Sequence, residues 1–595
     1  MAKNLMTGNE AVARGLYEAG VAFASAYPGT PSTEILENVA EKYKDSIACE
    51  WAPNEKVAFE AAVGASFVGG RSFAAMKHVG LNVAADPLLT FAYTGVNGGM
   101  VFVSADDPGL HSSQNEQDNR FYARMGKFIM LEPSDSQEAK DMAVMGYELS
   151  EQFDSPVMLR MTTRVCHSKS LVEFGDVQEQ RKKEYVKNRA KYDPVPAMAK
   201  GMHTAVEKRW KRLLEYTEVC PLNREEWHTD EIGIVSAGAA YQYAREVFGD
   251  NASYFKCGMT SPMPLESIRK FAAKVKKLYV VEELEPYMED LMRAAGIDCV
   301  GKALIPIEGE LNPDIVRKSL TGEVTPTIEY DDKSVVPGRP PMLCAGCPHV
   351  GLFYELGKIK DVIAIGDIGC YALSGNPPLN AKDFALCMGS GFSMAHGAAK
   401  IMEKFGENKK IVGVVGDSTF FHTGMNSMLD AVYNHSNVTL IVVDNRITGM
   451  TGHQENPGSG YTITGEHAYP ADIEGVARAF GMTDIHKVNP MDLEATRKAL
   501  KEAIAFEGPS LVITRYPCAL KKRSPEDKAE FGTEKAKYAV DNDACIGCKS
   551  CLRLGCPALS FDGGAKKADI DRVACAGCGV CAQVCPKKAI GKVGG

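Results

Sequence analysis

The stretch IVGVVGDSTFFHTGMNSMLDAVYNHSNVTLIVVDNRITGM, residues 411–450, decides the fold class. Its apolar run IVGVV stops at Gly416, Asp417 and Ser418. A helical pattern follows from about Thr423 to Asn434, and a second apolar run, VTLIVV, stops at Asp444 and Asn445. Apolar strand, helix, apolar strand predicts a parallel sheet covered on both faces. Both polar stops then emerge at the carboxyl edge of that sheet, where α/β folds hold ligands. One carboxylate (Asp417), one amide oxygen (Asn445) and a nearby backbone carbonyl make an oxygen donor set. Such a set suits a hard cation such as Mg²⁺ and leaves room for diphosphate oxygens. An ordinary strand–turn–helix unit with an aspartate cap is the plainer alternative.

Working outward, residues 342–535 form one α/β unit around this stretch. Within it CMGSGFSMAHGAAK (387–400) is glycine-rich at a strand end and opens a helix, an arrangement that favours phosphate. Residues 1–175 alternate apolar strands with helices (VAFASAYPGTPSTEIL, GGRSFAAMKHVG, GGMVFVSADDPG) and predict a second parallel-sheet domain. Residues 176–228 turn charged and helical (EQRKKEYVKNRAKY, AVEKRWKRLLEY), as a connector would. Residues 229–335 read as a smaller α/β domain with strand content in EIGIVSAGAAYQYAREV and KKLYVVEELEP. VVPGRPP (335–341) is a linker by its Pro and Gly content, and a cysteine-rich domain spans 540–595. The expected class is therefore α/β, with two parallel-sheet domains, a smaller α/β middle domain and a small C-terminal module.

At 595 residues the chain exceeds a single core. No apolar run reaches the roughly 18–20 residues needed to span a bilayer, and MAKNLMTGNEAVARG lacks the apolar core of a secretory signal. A cytoplasmic, non-membrane protein is expected. The net charge of −9 argues against a nucleic-acid binder. That charge is uneven: residues 545–595 hold eight basic and three acidic side chains, a local +5 on a body of −14. A basic module suits docking of a small acidic protein, or is simply a solvated surface. Eighteen cysteines in a cytoplasmic chain argue against disulfides.

Eight of those cysteines lie in the last 51 residues at metal-ligand spacing. Cys545, Cys548 and Cys551 are followed by Cys556-Pro557, and Cys575, Cys578 and Cys581 by Cys585-Pro586. This resembles a bacterial two-cluster ferredoxin, in which the fourth cysteine of each run ligates the other cluster. The resemblance implies one [4Fe–4S] cluster on Cys545, Cys548, Cys551 and Cys585, and another on Cys575, Cys578, Cys581 and Cys556. The first run departs from the pattern, with four residues rather than three before Cys556. Zinc also takes four thiolates, but its sites usually pair two CxxC units.

The 411–450 stretch is similar to the thiamine-diphosphate motif, in which GDG is followed some 25–30 residues later by Asn; Ser418 stands where the motif has its second Gly. The resemblance implies Mg²⁺ on Asp417, Asn445 and the Ile447 carbonyl, and cofactor contacts from Gly416 and Ser418. Thiamine enzymes also place a bulky apolar residue before a Gly to wedge the cofactor into its bent shape; Met388-Gly389 fits, although Met388 also reads as a core residue. They need a carboxylate against N1′ of the aminopyrimidine. In WAPNEKVAFEAAVGASFVGG, Pro53 is expected to open a helix with Glu55 in its first turn and Ala58, Ala61, Ala62 and Ala65 as a small-residue face. Glu55 matches that carboxylate; dipole stabilisation is the plainer role for a first-turn acid. Tyr27-Pro28-Gly29-Thr30-Pro31 resembles the YPxTP loop of 2-oxoacid:ferredoxin oxidoreductases, which implies that Thr30 lies near the substrate carboxylate.

Cys344 and Cys347 (LCAGCPHVG), Cys370 (GDIGCYAL) and Cys518 (RYPCAL) follow the order in which that family holds a further cluster beside thiamine; an inert CxxC with two buried cysteines is the alternative. Taken together, CAGCPHVG, GDIGCYAL, GDSTFFHTG and DNRITGMTGHQ resemble the large subunits of indolepyruvate ferredoxin oxidoreductases, over nearly the whole chain. The resemblance implies a pyrimidine-binding domain (1–175), a middle domain similar to the transketolase C-terminal domain, a diphosphate-binding domain (342–535) and the ferredoxin-like tail. It implies oxidative decarboxylation of an arylpyruvate with coenzyme A, electrons passing through the clusters to an external ferredoxin, and a small beta subunit completing an α2β2 heterotetramer. A non-oxidative thiamine-dependent decarboxylase or carboligase with an accessory tail is the rival, and an electron-transfer module on a degenerate thiamine fold a more distant one. His111, His349, His422 and His453 border the substrate or are structural; the second role is the commoner.

Overall fold

The computed structural model describes residues 3–326, 338, 340–533 and 536–593. The chain divides into two compact units, Met1–Tyr330 and Asp331–Gly595. Most of the 335–341 linker lies outside the described residues.

The first unit is built on a seven-stranded sheet. Five of its strands, the edge strand Ala48–Trp51 and then Phe23–Ala26, Ser72–Lys77, Met100–Asp106 and Val157–Thr162, are mutually parallel. Met100–Asp106 and Val157–Thr162 are buried at every position, which is why they read as unbroken apolar runs rather than alternating ones. A second, four-stranded sheet is centred on Ile232–Ser236, parallel to Ser253–Lys256 and Lys277–Val281. Its edge strand, Arg224–Glu226, comes from the connector. Met259–Ser261, from the middle region, pairs antiparallel with Ile129–Leu131 of the larger sheet.

Two local expectations are corrected. EQRKKEYVKN is not helical; only Arg189–Tyr192 and Pro196–Thr217 are. Gln178 N–H donates to Glu18 O, Lys183 N–H to Gly69 O, and the Gln180 amide to the carbonyls of Val21 and Ser46. These bonds to the domain replace the intrahelical ones, so tertiary partners override local propensity. In the 411–450 stretch the helical path starts at Asp417, not near Thr423: Asp417–Thr419 is helical, Phe420–Gly424 makes a π turn, and Met425–Tyr433 continues as α-helix. Such π turns inside helices are frequent at functional sites.

A buried charge network ties the two sheets of this unit together. Arg120, 1% exposed, pairs with Asp118 at 2.5 Å and Glu282 at 2.6 Å, and donates to the carbonyls of Glu283 and Glu285 at 2.9 Å. Arg160 pairs with Asp106 and Glu132. Removing one member leaves the others charged and unpaired in a dry interior. Arg120→Met should therefore destabilise this unit by about 3–5 kcal/mol, read as the loss of its denaturant midpoint; a change under about 1 kcal/mol would show that the network is solvated.

The second unit holds a five-stranded, all-parallel sheet in the order Val362–Ile365, Lys410–Gly416, Thr439–Asp444, Ser510–Arg515, Asp484–Val488. The helix Ser390–Phe405 packs on it through Phe392, Ala395 and Ala399. The tail adds two antiparallel pairs, Tyr538–Val540 with Ile590–Lys592 and Leu559–Asp562 with Lys567–Ile570. It is fastened to the sheet domain by the Gln583 side chain, which bonds Met491 O and Leu493 N–H, and by apolar contact of Leu343, Val350, Met491, Leu554 and Val580. Among the described residues no helix is long and apolar enough to cross a membrane.

Candidate active site

In the first unit, the carboxyl edge of the large sheet collects the candidate residues. Asn54, not Pro53, caps the helix Glu55–Phe67: its side chain accepts from Val57 N–H, and Glu55 is the first helical residue. The buried side of that helix is Ala58, Phe59, Ala62 and Ser66, so of the four predicted alanines only Ala58 and Ala62 are fully covered. Glu55 is 5% exposed and is pressed against Gly80, where a Cβ would lie 2.7 Å from Oε1, so any larger residue there would displace the carboxylate. Thr30 sits half-buried at the end of Phe23–Ala26. Its loop is held by Asn9, which donates to Pro31 O, and by Ser32, which donates to Gly29 O. His111 pairs with Glu310 on the surface.

In the second unit, Asp417 and Asn445 end adjacent strands and converge. The Ile447 N–H donates to Asp417 Oδ2 at 3.1 Å and to Asn445 Oδ1 at 3.2 Å. Asn456, which the sequence reading missed, donates to Asp417 Oδ2 at 3.1 Å. Ser418 is buried, its Oγ accepting from Thr448. Burial first, then the neighbouring Asp444 charge, push Asp417 up to about 7; Asp444 is raised as well, by burial, with Arg515 and Arg446 opposing. No basic side chain stands within ion-pair distance of Asp417 among the described residues. A buried carboxylate served only by amides fits a cation.

Gly389 takes φ +88°, and a Cβ there would stand 1.5 Å from Thr423 Oγ1, so glycine is obligatory. The loop is anchored by Asp367, fully buried, which accepts N–H from Ile368, Gly389 and Gly391 at 2.7–2.9 Å. Burial pushes Asp367 up to about 6. The signal for it was the Gly-Asp at 366–367, a second copy of Gly416-Asp417 at the end of the neighbouring strand. Met388 is half-buried rather than a core residue. His349 is buried and held neutral, its pKa lowered to about 4, with Nε2 at 3.5 Å from Asn445 Nδ2. His422 is buried beside Thr423 and His453 half-buried with φ +71°.

The cysteines sort themselves by position. Among the described residues no three His, Cys, Asp or Glu side chains converge tightly enough for a single metal ion. Instead one cavity is lined by Cys545, Cys548, Cys551 and Cys585, with Lys549 and Lys587 beside them. Another is lined by Cys556, Cys575, Cys578 and Cys581. These are the two sets implied by the ferredoxin pattern, and the extra residue before Cys556 does not separate it from its set. Cys344 and Cys347 line the second cavity as well. Burial first, then neighbouring thiols, raise the pKa of Cys347, Cys370 and Cys518: Cys347 feels Cys370, Cys518 and Cys344, Cys370 feels Cys518 and Cys344, and Cys518 feels Cys344. Cys370 Sγ would be 3.8 Å from a Cβ at Gly449, whose other neighbour is Asn445 Nδ2, and Cys518 N–H donates to Asn445 O. Gly346, with φ +74°, fits this turn against the tail: a Cβ would stand 2.5 Å from that of Ala576, and it lines the same cavity as Cys556.

Comparison with known proteins agrees with this geometry. Residues 14–222 match the model described as pyruvate flavodoxin/ferredoxin oxidoreductase, thiamine diphosphate-binding. Residues 367–514 match the thiamine pyrophosphate enzyme C-terminal TPP-binding domain, and 537–586 a 4Fe–4S dicluster domain. Indolepyruvate oxidoreductase subunit IorA of Archaeoglobus fulgidus is 38% identical over 99% of this chain and 97% of its own; that of Pyrococcus horikoshii is 40% identical over 99% and 97%. The chain belongs to the IorA family. A solved 2-oxoglutarate:ferredoxin oxidoreductase from Magnetococcus marinus, with 2-oxoglutarate, coenzyme A and succinyl-CoA bound, is 20% identical, with a TM-score of 0.46 over 54% of this chain and 65% of its own. As an IorA-family member the chain is a thiamine-diphosphate-dependent 2-oxoacid:ferredoxin oxidoreductase with a ferredoxin-type iron–sulfur domain.

Proposed function

We propose that this chain oxidatively decarboxylates an arylpyruvate to an aryl-acetyl-CoA and CO2, with coenzyme A as co-substrate and an external ferredoxin as electron acceptor. Thiamine diphosphate, when bound, supplies the carbanion-forming carbon that lets a 2-oxoacid lose CO2. Glu55 shares a proton with N1′ of its aminopyrimidine, and Thr30 contacts the substrate. Asp417, Asn445 and the Ile447 carbonyl hold Mg²⁺; Gly416, Ser418, Met388 and Gly389 contact the cofactor. Cys344, Cys347, Cys370 and Cys518 hold a third [4Fe–4S] cluster. Clusters held by Cys556, Cys575, Cys578 and Cys581 and by Cys545, Cys548, Cys551 and Cys585 would supply a route for the electrons to exposed Lys549 and Lys587, which would meet an acidic ferredoxin. A small beta subunit completes an α2β2 assembly.

The observation that carries this reading over a non-oxidative decarboxylase is the place of the four thiols. Cys370 Sγ and the Asn445 amide both border Gly449, and the Cys518 backbone N–H donates to the Asn445 carbonyl; a cluster held by these cysteines would therefore lie beside the donor set assigned to the diphosphate. An anaerobic assay with the beta subunit across indolepyruvate, phenylpyruvate and 4-hydroxyphenylpyruvate tests it. Turnover should require both ferredoxin and coenzyme A; aldehyde release without either would favour the decarboxylase.

The Asp417 carboxyl also sets a pH dependence. Its pKa is raised in the folded chain, so the folded state binds the proton better than the unfolded one. Its contribution to apo stability is complete below the ordinary carboxylate value and is lost as pH rises toward about 7. Mg²⁺ needs the ionised form and must expel that proton. Affinity for Mg²⁺–thiamine diphosphate should therefore fall up to about tenfold per pH unit below 7, with proton release visible in calorimetry in buffers of different ionisation enthalpy. A pH-independent affinity between 6 and 8 would remove Asp417 from the metal.

A further inference from the structure

A cation withdrawn from water is normally matched by a carboxylate. The first unit follows this rule at Arg120 and Arg160, and again at Lys140, which pairs with Glu18 and Asp141. Arg209, 4% exposed, is served instead by the carbonyls of Asp154 and Ala92, and the half-buried Lys77 likewise has no carboxylate partner. Lys77 ends the central strand Ser72–Lys77, at the edge that carries Glu55 and the 27–31 loop. Its stem lies along Gly29, where a Cβ would be 3.1 Å from Lys77 Cγ, and its ammonium donates to the Ser112 carbonyl at 3.0 Å. Among the described residues no carboxylate stands within ion-pair distance. Asp107 and Glu55 act on Lys77 only through their field. The Asp107 oxygens are taken by Ser112 N–H, Ser113 Oγ and Thr163 Oγ1, at 2.8, 2.6 and 2.7 Å. A lysine presents three N–H donors, and a carbonyl uses one.

We infer that Lys77 is the counter-charge for the carboxylate of the 2-oxoacid, in a subsite bordered by Gly29-Thr30 and Glu55. The inference rests on the reading of Glu55 as the residue facing the reacting cofactor, because it is Glu55 that makes this edge the reacting one. The substrate carboxylate is the anion that every 2-oxoacid brings, whereas the diphosphate is matched by the magnesium donors of Asp417 and Asn445. A consequence follows from the chemistry. The carboxylate leaves as neutral CO2, so an ion pair to it is stronger before bond breaking than during it. Lys77 therefore favours binding over the chemical step.

The test uses the full chain with its beta subunit. Lys77→Met should raise KM for phenylpyruvate about 10- to 100-fold, leave kcat within about threefold, and leave the bound thiamine diphosphate and the KM for coenzyme A unchanged. Lys77→Arg should recover part of the loss. Inhibition by 3-phenylpropionate and its uncharged amide separates charge from shape: the wild type should prefer the carboxylate, and Lys77→Met should bind the two alike. A carboxylate preference that survives in Lys77→Met would overturn the assignment. So would loss of thiamine diphosphate, or a matching rise in KM for coenzyme A. A wild type that holds thiamine diphosphate yet consumes no 2-oxoacid would sink the functional reading itself, and this subsite with it.

Discussion

Glu55→Gln should reduce 2-oxoacid turnover by about 10²- to 10⁴-fold while the EPR signals of the iron–sulfur clusters remain those of the wild type. The magnitude separates the two roles open to this side chain. A carboxylate in the first turn of a helix stabilises the dipole by about 0.3–1 kcal/mol, a contribution to folding that scarcely moves a rate. A proton shared with the cofactor ring in the transition state is worth about 3–5 kcal/mol, since each decade costs about 1.36 kcal/mol. Glutamine is close in shape, so it keeps the packing on Gly80, and the helix retains its Asn54 cap on Val57; folding should change little. Anaerobic steady-state rates together with EPR of the reduced protein decide the matter. Wild-type turnover in Glu55→Gln would return the residue to the dipole.

The parts of the site legible in the sequence are those carried by strand ends and by cysteine spacing. Asp417 and Asn445 terminate apolar runs and must share one sheet edge once the strands are parallel, and the structure bridges them through a single amide, that of Ile447. The eight tail cysteines show metal-ligand spacing on their own, but their division into two sets came from the resemblance to two-cluster ferredoxins. Contacts between distant segments were not legible. Asp367 is tied to Gly389 and Gly391, more than twenty residues away. Lys77 meets Gly29 and Ser112 from two other loops, and Gly346 meets Ala576 across more than two hundred residues. None of these has a local period or motif. The charged segment at 179–188 failed for a related reason: its pattern favours a helix, but Lys183 N–H bonds Gly69 O and the Gln180 side chain bonds the carbonyls of Val21 and Ser46. Local propensity amounts to tenths of a kcal/mol per residue, and several hydrogen bonds to a fixed surface outweigh it.

The anaerobically purified chain should carry about 12 irons, four for each of three [4Fe–4S] clusters, and the double variant Cys347→Ala/Cys370→Ala should carry about eight. Burial holds both thiols well above their ordinary range, so an empty site would leave them protonated and inert. Only a bound metal makes thiolates of them there. The consequence for electron flow is larger than the consequence for iron. Cys344 and Cys347 share a cavity with Cys556, Cys575, Cys578 and Cys581, and Gly346 packs against Ala576 of the tail. This turn is therefore the physical join between the diphosphate domain and the tail. Without its cluster, ferredoxin reduction driven by a 2-oxoacid should fall at least about 100-fold, the loss of one catalytic element, while dithionite still reduces the tail clusters chemically. The contrast isolates the relay from the fold, because a collapsed tail would lose both signals. Eight irons in the wild type, with electrons reaching the tail at full rate in the double variant, would instead leave the CxxC turn as a packing device and shorten the path to the two clusters of the tail.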